Sequence, residues 1–232
     1  MNKILFFDFD DTLSFNKNPV NYELIEELKR ISYLHKVVIA TGQSVNLIRG
    51  VLRQMGDMDN VGIIGENGAD LLSNFKGFPE FTFSIKLSDE NAELFKSLKE
   101  NLIETYGENN LLFSEHKCAL NVLPRFDCQR EEIFDFFNKH LSDKRQCFKH
   151  CDTVELVFEN VNKANGIAKF IELSGLERNN VEVHCFGDSE NDRLMLEYSD
   201  YSYLIGNKIL YNNASFFLAD EKELIDLLKS NF

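Results

Sequence analysis

Three aspartates directly follow the first apolar run of the chain, and this arrangement constrains the fold more than any other feature. The run is Ile4–Phe7, and the aspartates are Asp8, Asp10 and Asp11. A short and continuously apolar run is typical of a strand that is buried on both faces of a parallel sheet. Charged residues after such a strand lie at the carboxyl edge of the sheet, where open α/β proteins bind their ligands.

The first 75 residues alternate between predicted strands and helices. Strands are predicted at Ile4–Phe7, Val37–Ala40 and Val61–Ile64, and helices at Val20–Leu34 and from Ser44 to about Met55. This alternation predicts βαβ units. The predicted fold class is therefore α/β, with a Rossmann-like parallel-sheet core.

The pattern changes to α+β between residues 76 and 153 and then returns. The middle segment has predicted strands at Phe81–Leu87, Ala119–Leu123 and Gln146–Cys151, and helices from Ser88 to about Thr105 and at Cys128–His140. The returning pattern has strands at Val154–Phe158, Val181–Phe186 and Tyr201–Ile205, and helices at Lys163–Leu173, Glu190–Tyr198 and Lys222–Leu228. We therefore predict a core formed by residues 1–75 and 154–232, interrupted by an inserted α+β domain at residues 76–153.

Composition and charge limit the classes of partner. The formal net charge of −13 repels nucleic acid and anionic lipid, so neither is expected as a partner. An anionic small substrate would also be repelled unless a local cation offsets the charge. No apolar run approaches the roughly 20 residues of a membrane span. Five cysteines, an odd number without a CxxC pair, predict a reducing, cytoplasmic setting.

The first candidate site is the aspartate stretch itself. Residues two apart in an extended segment point the same way, so Asp8 and Asp10 share one site unless the chain turns between them. Two close carboxylates need a cation or a shared proton, and Mg²⁺ above all suits oxygen ligands. The alternative is an acidic loop without a function.

Two further candidates carry groups that could bind phosphate. Thr41 and Gly42 follow the second strand and precede a fresh helix N-terminus, which favours a phosphate cradle, although an ordinary turn has the same residues. Lys163 opens a helix, where its charge opposes the helix dipole. Such a lysine has either a partner elsewhere in the fold or a solvated position on the surface.

The last candidate follows the strand that ends at Phe186. Asp188 lies at the strand end and Asp192 follows four residues later, so both could face one site. A helix cap formed by Ser189 and Glu190 is the alternative interpretation, but it does not account for Asp188.

Together these stretches resemble the haloacid dehalogenase superfamily of phosphohydrolases. The family pattern is Asp-x-Asp-x-Thr, a strand ending in Thr or Ser, a Lys, and Gly-Asp-x-x-x-Asp. The chain has the corresponding residues in this order: Asp8, Asp10, Thr12, Thr41, Lys163, Gly187, Asp188 and Asp192. The predicted insertion falls between the second and third motifs, as in the larger cap class of the family, and Glu66-Asn67-Gly68-Ala69 resembles its Cof-like and sucrose-phosphatase-like branch.

The resemblance implies a role for each matched residue. Asp8 would be the nucleophile that forms an aspartyl-phosphate, and Asp10 the general acid and base. Thr41, Gly42 and Lys163 would bind the phosphoryl group. The implied ligands of a Mg²⁺ cofactor are Asp8, the backbone carbonyl of Asp10, Asp188 and Asp192.

The expected function is a Mg²⁺-dependent phosphatase acting on small phosphorylated metabolites, with sugar phosphates as the expected class and the inserted cap domain selecting the substrate. Two alternatives stay open at this point. A phosphomutase similar to phosphomannomutases uses the same aspartyl-phosphate. A non-catalytic phospho-acceptor or binding domain also has acidic residues at strand ends, but it does not need Asp10. The sequence makes no prediction of oligomeric state.

Overall fold

A computed structural model of the chain describes residues 2–56, 60–73, 80–149, 152–206 and 214–232. These residues form twelve strands: β1 (Asn2–Phe7), β2 (Lys36–Ala40), β3 (Val61–Gly65), β4 (Asp70–Ser73), β5 (Phe81–Ser84), β6 (Leu111–Glu115), β7 (Ala119–Pro124), β8 (Gln146–Lys149), β9 (Val154–Val157), β10 (Val181–Gly187), β11 (Tyr201–Ile205) and β12 (Phe216–Leu218). They also form seven α-helices: α1 (Tyr22–Leu34), α2 (Val45–Gln54), α3 (Asp89–Tyr106), α4 (Asp127–Asn138), α5 (Lys163–Leu173), α6 (Arg193–Tyr198) and α7 (Glu221–Asn231).

The chain divides into two compact units, and the first contains residues 1–84 and 162–232. Its sheet has eight strands in the order β12-β11-β10-β1-β2-β3-β4-β5. Neighbouring strands from β12 to β3 pair in parallel, and β4 and β5 extend the sheet with antiparallel pairs. The predicted α/β class with a Rossmann-like parallel core is confirmed.

Helices cover both faces of this sheet because its strands are apolar on both faces. Leu5 and Phe7 of β1 belong to a core cluster that also contains buried residues of α1, α2 and α7. Ile4 and Phe6 of the same strand pack in the cluster of α5 and α6 on the opposite face. The continuous apolar run at the start of the chain is therefore explained by burial on two sides.

A ladder of stacked aromatic rings fixes the register of four parallel strands. Phe7, Phe186, Tyr203 and Phe216 are paired in register on β1, β10, β11 and β12. Successive ring centroids lie 4.3, 4.2 and 4.9 Å apart, with interplanar angles of 14° or less. A slip by one residue would move each ring to the opposite face, so the ladder favours one alignment of the strand ends.

The inserted unit, residues 85–161, has its own sheet and its own core. Its antiparallel strand order is β6-β7-β9-β8. One face of this sheet packs on α3 and α4 through a cluster that includes Leu98, Val122, Phe137 and Leu156. This is the α+β unit that the sequence predicts, and Ser88 caps α3 as expected, since its side chain accepts from Asn91 N.

The junctions between the two units differ from the predicted ones at residues 75 and 153. Phe81–Ser84, expected in the insertion, pairs with β4 and belongs to the main sheet. Val154–Val157, expected in the main sheet, pairs with β7 and β8 and belongs to the inserted unit. Residues 150 and 151, the end of a predicted strand, lie outside the described residues.

No helix in the described part of the chain is both long and apolar enough to cross a membrane.

A clasp at the start of β11 joins three segments of the first unit. The Asp200 carboxylate accepts from both terminal guanidinium nitrogens of Arg178, at 3.0 and 2.9 Å, and from Val183 N at 2.8 Å. Burial tends to raise the pKa of Asp200, but these hydrogen bonds outweigh it and hold that pKa below its ordinary value. A carboxyl group whose pKa is lowered by folding stabilises the fold only while it is ionised.

We expect Asp200→Asn to lower the free energy of unfolding at pH 7 by about 0.5–1 kcal/mol, since the clasp is partly exposed to solvent. The difference in unfolding free energy between wild type and variant should narrow as the pH falls below about 4. There the unfolded state begins to bind a proton at Asp200, and the folded state does so only at lower pH. Urea unfolding at pH 7 and pH 3 measures both gaps, with Asp226→Asn on the exposed face of α7 as the control. An equal gap at the two pH values would show that the charge of Asp200 does not stabilise the fold.

Candidate active site

The candidate residues meet at the carboxyl edge of the main sheet. β1, β2 and β10 are neighbours in parallel register and end at Phe7, Ala40 and Gly187. Asp8, Thr41 and Asp188 are the residues that directly follow these three strand ends. Because the strands point the same way, residues separated by most of the chain come together at one edge.

Lys163 is buried at this edge between two carboxylates. It is the first residue of α5, and its side chain is 1% exposed. Its Nζ donates to Asp8 Oδ1 at 2.5 Å and to Asp192 Oδ1 at 2.6 Å. The lysine that opposes the dipole of its own helix is therefore stabilised by two ion pairs.

The spacing of Gly187, Asp188 and Asp192 has a steric and a hydrogen-bonding cause. The other oxygen of Asp192, Oδ2, accepts from Asp188 N, Ser189 N and Ser189 Oγ at 3.0 to 3.2 Å. A Cβ on Gly187 would lie 2.6 Å from the Cβ of Asp192, so only glycine leaves room for this buried carboxylate. Both oxygens of Asp192 are engaged, which fixes the loop that carries Asp188.

Three carboxylates form a cluster that could hold a metal ion. One oxygen each from Asp8, Asp188 and Asp192 lie within 4.8 Å of one another. Burial raises the pKa of Asp8 well above its ordinary value and that of Asp188 to about 7. The negative charge of Asp192 adds to both rises, and the positive charge of Lys163 opposes them. Burial alone would lower the pKa of Lys163. The charges and hydrogen bonds of Asp192 and Asp8 have the larger effect, so the pKa of Lys163 lies above its ordinary value. Fully ionised, the cluster has more negative charge than one ammonium offsets, and its oxygen ligands fit a hard divalent cation such as Mg²⁺.

The chain turns between Asp8 and Asp10, so the two carboxylates do not line one extended face. Asp8 is buried, whereas Asp10 is exposed, and Leu13 N donates to Phe9 O as the chain reverses. Among the described residues the three-carboxylate cluster does not include Asp10. The Asp10 carboxylate instead accepts a hydrogen bond from Gln43 Nε2 at 3.1 Å.

Asp11 has a structural position in the same turn. Its φ of +57° is left-handed, and its carboxylate accepts from Asn16 N at 2.8 Å. It therefore closes the loop that follows β1.

The loop after β2 holds Thr41 rigidly. Thr41 N donates to Ile64 O at 2.8 Å, and its carbonyl accepts from Asn67 N at 2.9 Å. Its hydroxyl oxygen accepts from Gln43 N at 3.1 Å, which tightens the turn through Gly42. The predicted cap of α2 is confirmed, because the Ser44 side chain accepts from Leu47 N.

A glycine contact ties this loop to the helix that carries Lys163. Gly68 ends a tight turn after β3 with a φ of +108°, and a Cβ there would lie 2.5 Å from Asn162 O. Gly166 of α5 faces it, since a Cβ on Gly166 would lie 2.8 Å from Gly68 Cα. The turn that binds Thr41 O through Asn67 N therefore also positions the first turn of α5.

Comparison with known proteins identifies the family. A model of the haloacid dehalogenase-like hydrolases matches residues 5–145 and 114–223. The chain belongs to this family. No match was found among curated protein sequences.

Solved structures share the fold of this hydrolase over nearly its whole length. A haloacid dehalogenase-like hydrolase from Bacteroides thetaiotaomicron has a TM-score of 0.76 at 16% identity, covering 100% of both chains. One from B. subtilis has a TM-score of 0.74 at 15% identity, covering 99% of both. The C-terminal domain of C. albicans trehalose-6-phosphate phosphatase has a TM-score of 0.74 at 17% identity, covering 98% of this chain and 91% of that one. These likenesses extend the fold assignment to both units.

Sequence reasoning on this hydrolase named the charged residues but missed the contacts that position them. Gln43 was not singled out, because its bond to Asp10 joins two loops 33 positions apart. Nor were the facing glycines Gly68 and Gly166, since neither shows in the sequence that it abuts another backbone. Each of these contacts depends on which elements are neighbours in the fold, and local sequence patterns do not show that.

We expect Gly166→Ala to lower the free energy of unfolding by about 1–3 kcal/mol, the usual cost of forcing a methyl group into a packed site. It should also lower hydrolase activity, because the first turn of α5 carries Lys163. Gly50→Ala is the matched control on α2, where a Cβ meets nothing within 4 Å. That substitution should stabilise the protein by about 0.5–1 kcal/mol, because alanine favours a helix. Denaturant unfolding measures both, and a stabilising Gly166→Ala would contradict the tight glycine contact.

Proposed function

We propose that this hydrolase is a Mg²⁺-dependent phosphatase of small phosphate monoesters, with sugar phosphates as its substrate class. The observation that carries the proposal is the buried ammonium of Lys163 bridging Asp8 and Asp192 at the edge where Asp188 completes the carboxylate cluster. A nucleophilic carboxylate, a fixed cation and an oxygen-rich metal site are what phosphoryl transfer requires. With a divalent cation bound, they would also give a protein of net charge −13 a place where an anionic ester is attracted.

In the first half-reaction an Asp8 oxygen attacks phosphorus, and the bond from phosphorus to the ester oxygen breaks. Asp10 donates its proton to that departing oxygen, so that a neutral alcohol leaves. Lys163 holds Asp8 in place and, with the Thr41 and Gly42 loop, binds the phosphoryl oxygens as their charge changes.

In the second half-reaction Asp10 takes a proton from water as the water oxygen attacks phosphorus. The bond between phosphorus and Asp8 then breaks, which releases inorganic phosphate and restores both carboxyl groups. The sum is hydrolysis of one ester by one water, with the same residue serving first as acid and then as base.

The residues present fit a Mg²⁺ ion, which would be held by Asp8, Asp188 and the backbone carbonyl of Asp10. Asp192 is part of the same cluster, and it accepts hydrogen bonds from Lys163 Nζ and from Asp188 N, which hold both residues in place. When bound, the ion would offset the charge of the carboxylates and of the phosphoryl group.

The shared fold supports the sugar-phosphate class and the role of the inserted unit. The chain shares its fold with trehalose-6-phosphate phosphatases of A. fumigatus and C. albicans. We propose that residues 85–161 act as a cap that excludes bulk water and selects the leaving group.

We expect Asp8→Asn to lower kcat by about three orders of magnitude or more, the scale on which removal of a nucleophile acts in other hydrolases. Asp11→Asn should keep near wild-type kcat, because asparagine can still accept from Asn16 N. Phosphate release from a panel of monoesters measures both, with Mg²⁺ and with a chelator that should abolish wild-type turnover.

The same assay separates the rival functions. Conversion of one sugar phosphate to an isomer in the presence of a bisphosphate activator, without phosphate release, would identify a phosphomutase. Stable phosphorylation of the protein without turnover of any ester would identify a phospho-acceptor domain. Near wild-type turnover by Asp8→Asn would reject Asp8 as the nucleophile.

A further inference from the structure

The Gln43 side chain connects two neighbouring loops at the carboxyl edge of the main sheet. Gln43 follows Thr41 and Gly42 in the loop between β2 and α2, and Asp10 lies in the loop after β1. Its Nε2 donates to Asp10 Oδ2 at 3.1 Å. This bond links the residue proposed as the general acid and base to the loop proposed to bind phosphate.

The backbone of Gln43 is held on both sides, so its side chain starts from a fixed point. Gln43 N donates to Thr41 Oγ1 at 3.1 Å, and Gln43 O accepts from Glu66 N at 2.8 Å. Gly65 permits this approach, since a Cβ there would lie 2.9 Å from Gln43 O. A displacement of Gln43 would therefore disturb contacts in the loops that follow β2 and β3.

Asp10, in contrast, needs an external support. Its side chain is exposed on a turn and lies outside the carboxylate cluster that Lys163 and the β10 loop hold together. A general acid has to stay within hydrogen-bond reach of the leaving oxygen, and a displacement of about 1 Å can cost about a hundredfold in rate. A neutral amide donor fixes one carboxyl oxygen without adding a charge, and it leaves the other oxygen for proton transfer.

We propose that Gln43 is a positioning residue that holds the Asp10 carboxyl group in place for proton transfer to the departing ester oxygen and from the attacking water. The inference rests on the proposed function and assigns a role to a residue that does not contact phosphorus. Its effect should depend on the leaving group. An alcohol needs a proton to leave, whereas p-nitrophenolate leaves without one, so loss of Gln43 should affect the alcohol esters most.

The test compares two esters and two matched substitutions. Gln43→Met keeps the length of the side chain and removes the donor, and Gln54→Met makes the same change at an exposed residue at the end of α2. We expect Gln43→Met to lower kcat/KM, which covers the steps up to departure of the leaving group, by about 10- to 100-fold on a sugar or alkyl phosphate and by less than about threefold on p-nitrophenyl phosphate. Gln54→Met should change neither value.

A second background shows whether Gln43 acts through Asp10. In an Asp10→Ala protein, Gln43→Met should lower kcat/KM for the sugar or alkyl phosphate by less than about twofold, against about 10- to 100-fold with Asp10 in place, since the group that it positions is already gone. Gln43→Glu, which keeps the shape but directs a carboxylate at Asp10, should reproduce the leaving-group-dependent loss if Gln43→Met is poorly folded.

Two results would overturn the inference while leaving the proposed function intact. One is an equal loss of kcat/KM on both esters. The other is a loss of kcat/KM on the sugar or alkyl phosphate, of about 10- to 100-fold, that persists in the Asp10→Ala background. Absence of any wild-type turnover would instead overturn the proposed function, and the inference with it. The two failures are distinguishable because the wild-type protein alone shows whether there is any turnover.

Discussion

The bridge from Lys163 to Asp8 and Asp192 is the interaction on which the rest of the site depends. Burying an ammonium and carboxylates is costly, and such a group of charges usually adds little to stability compared with apolar side chains of similar size. Here the Lys163 ammonium connects α5 to the loop after β1 and to the loop after β10. Its presence is better explained by chemistry at this edge than by a contribution to folding.

Backbone packing sets the position of that bridge. Gly187 leaves room for Asp192, and the facing glycines Gly68 and Gly166 bring α5 against the turn that also binds the Thr41 loop. The positions of the charged groups therefore depend on close contacts that only glycine, which has no side chain, permits. The aromatic ladder across β1, β10, β11 and β12 adds a fixed register, so the strand ends that carry the charges stay level with one another.

Much of the fold and most of the candidate site follow from local patterns. Apolar runs with polar residues at their ends predict β1 and its neighbours. Three of the four polar stretches lie at one sheet edge because parallel strands end together, and Lys163 reaches the same edge from the start of α5. The prediction that Val154–Val157 belongs to the main sheet is wrong, since this mostly apolar stretch, which is buried at all four residues, would look the same in either unit. The short strands β4, β6 and β12 were missed, because three to five residues have too little periodicity to stand out. The contact between Gln43 and Asp10 depends on strand order, and no local pattern encodes strand order.

The order of the sheet also has a consequence for synthesis on the ribosome. β1 emerges before both of its neighbours, and one of them, β10, begins only at Val181. Until that strand is made, β1 has an unpaired edge, and such an edge can pair with other nascent chains. The cation at Lys163 and the carboxylate at Asp192 arrive in the same late stretch. The growing chain therefore acquires its charged site and covers its exposed edge at nearly the same moment, so a truncated product lacks both.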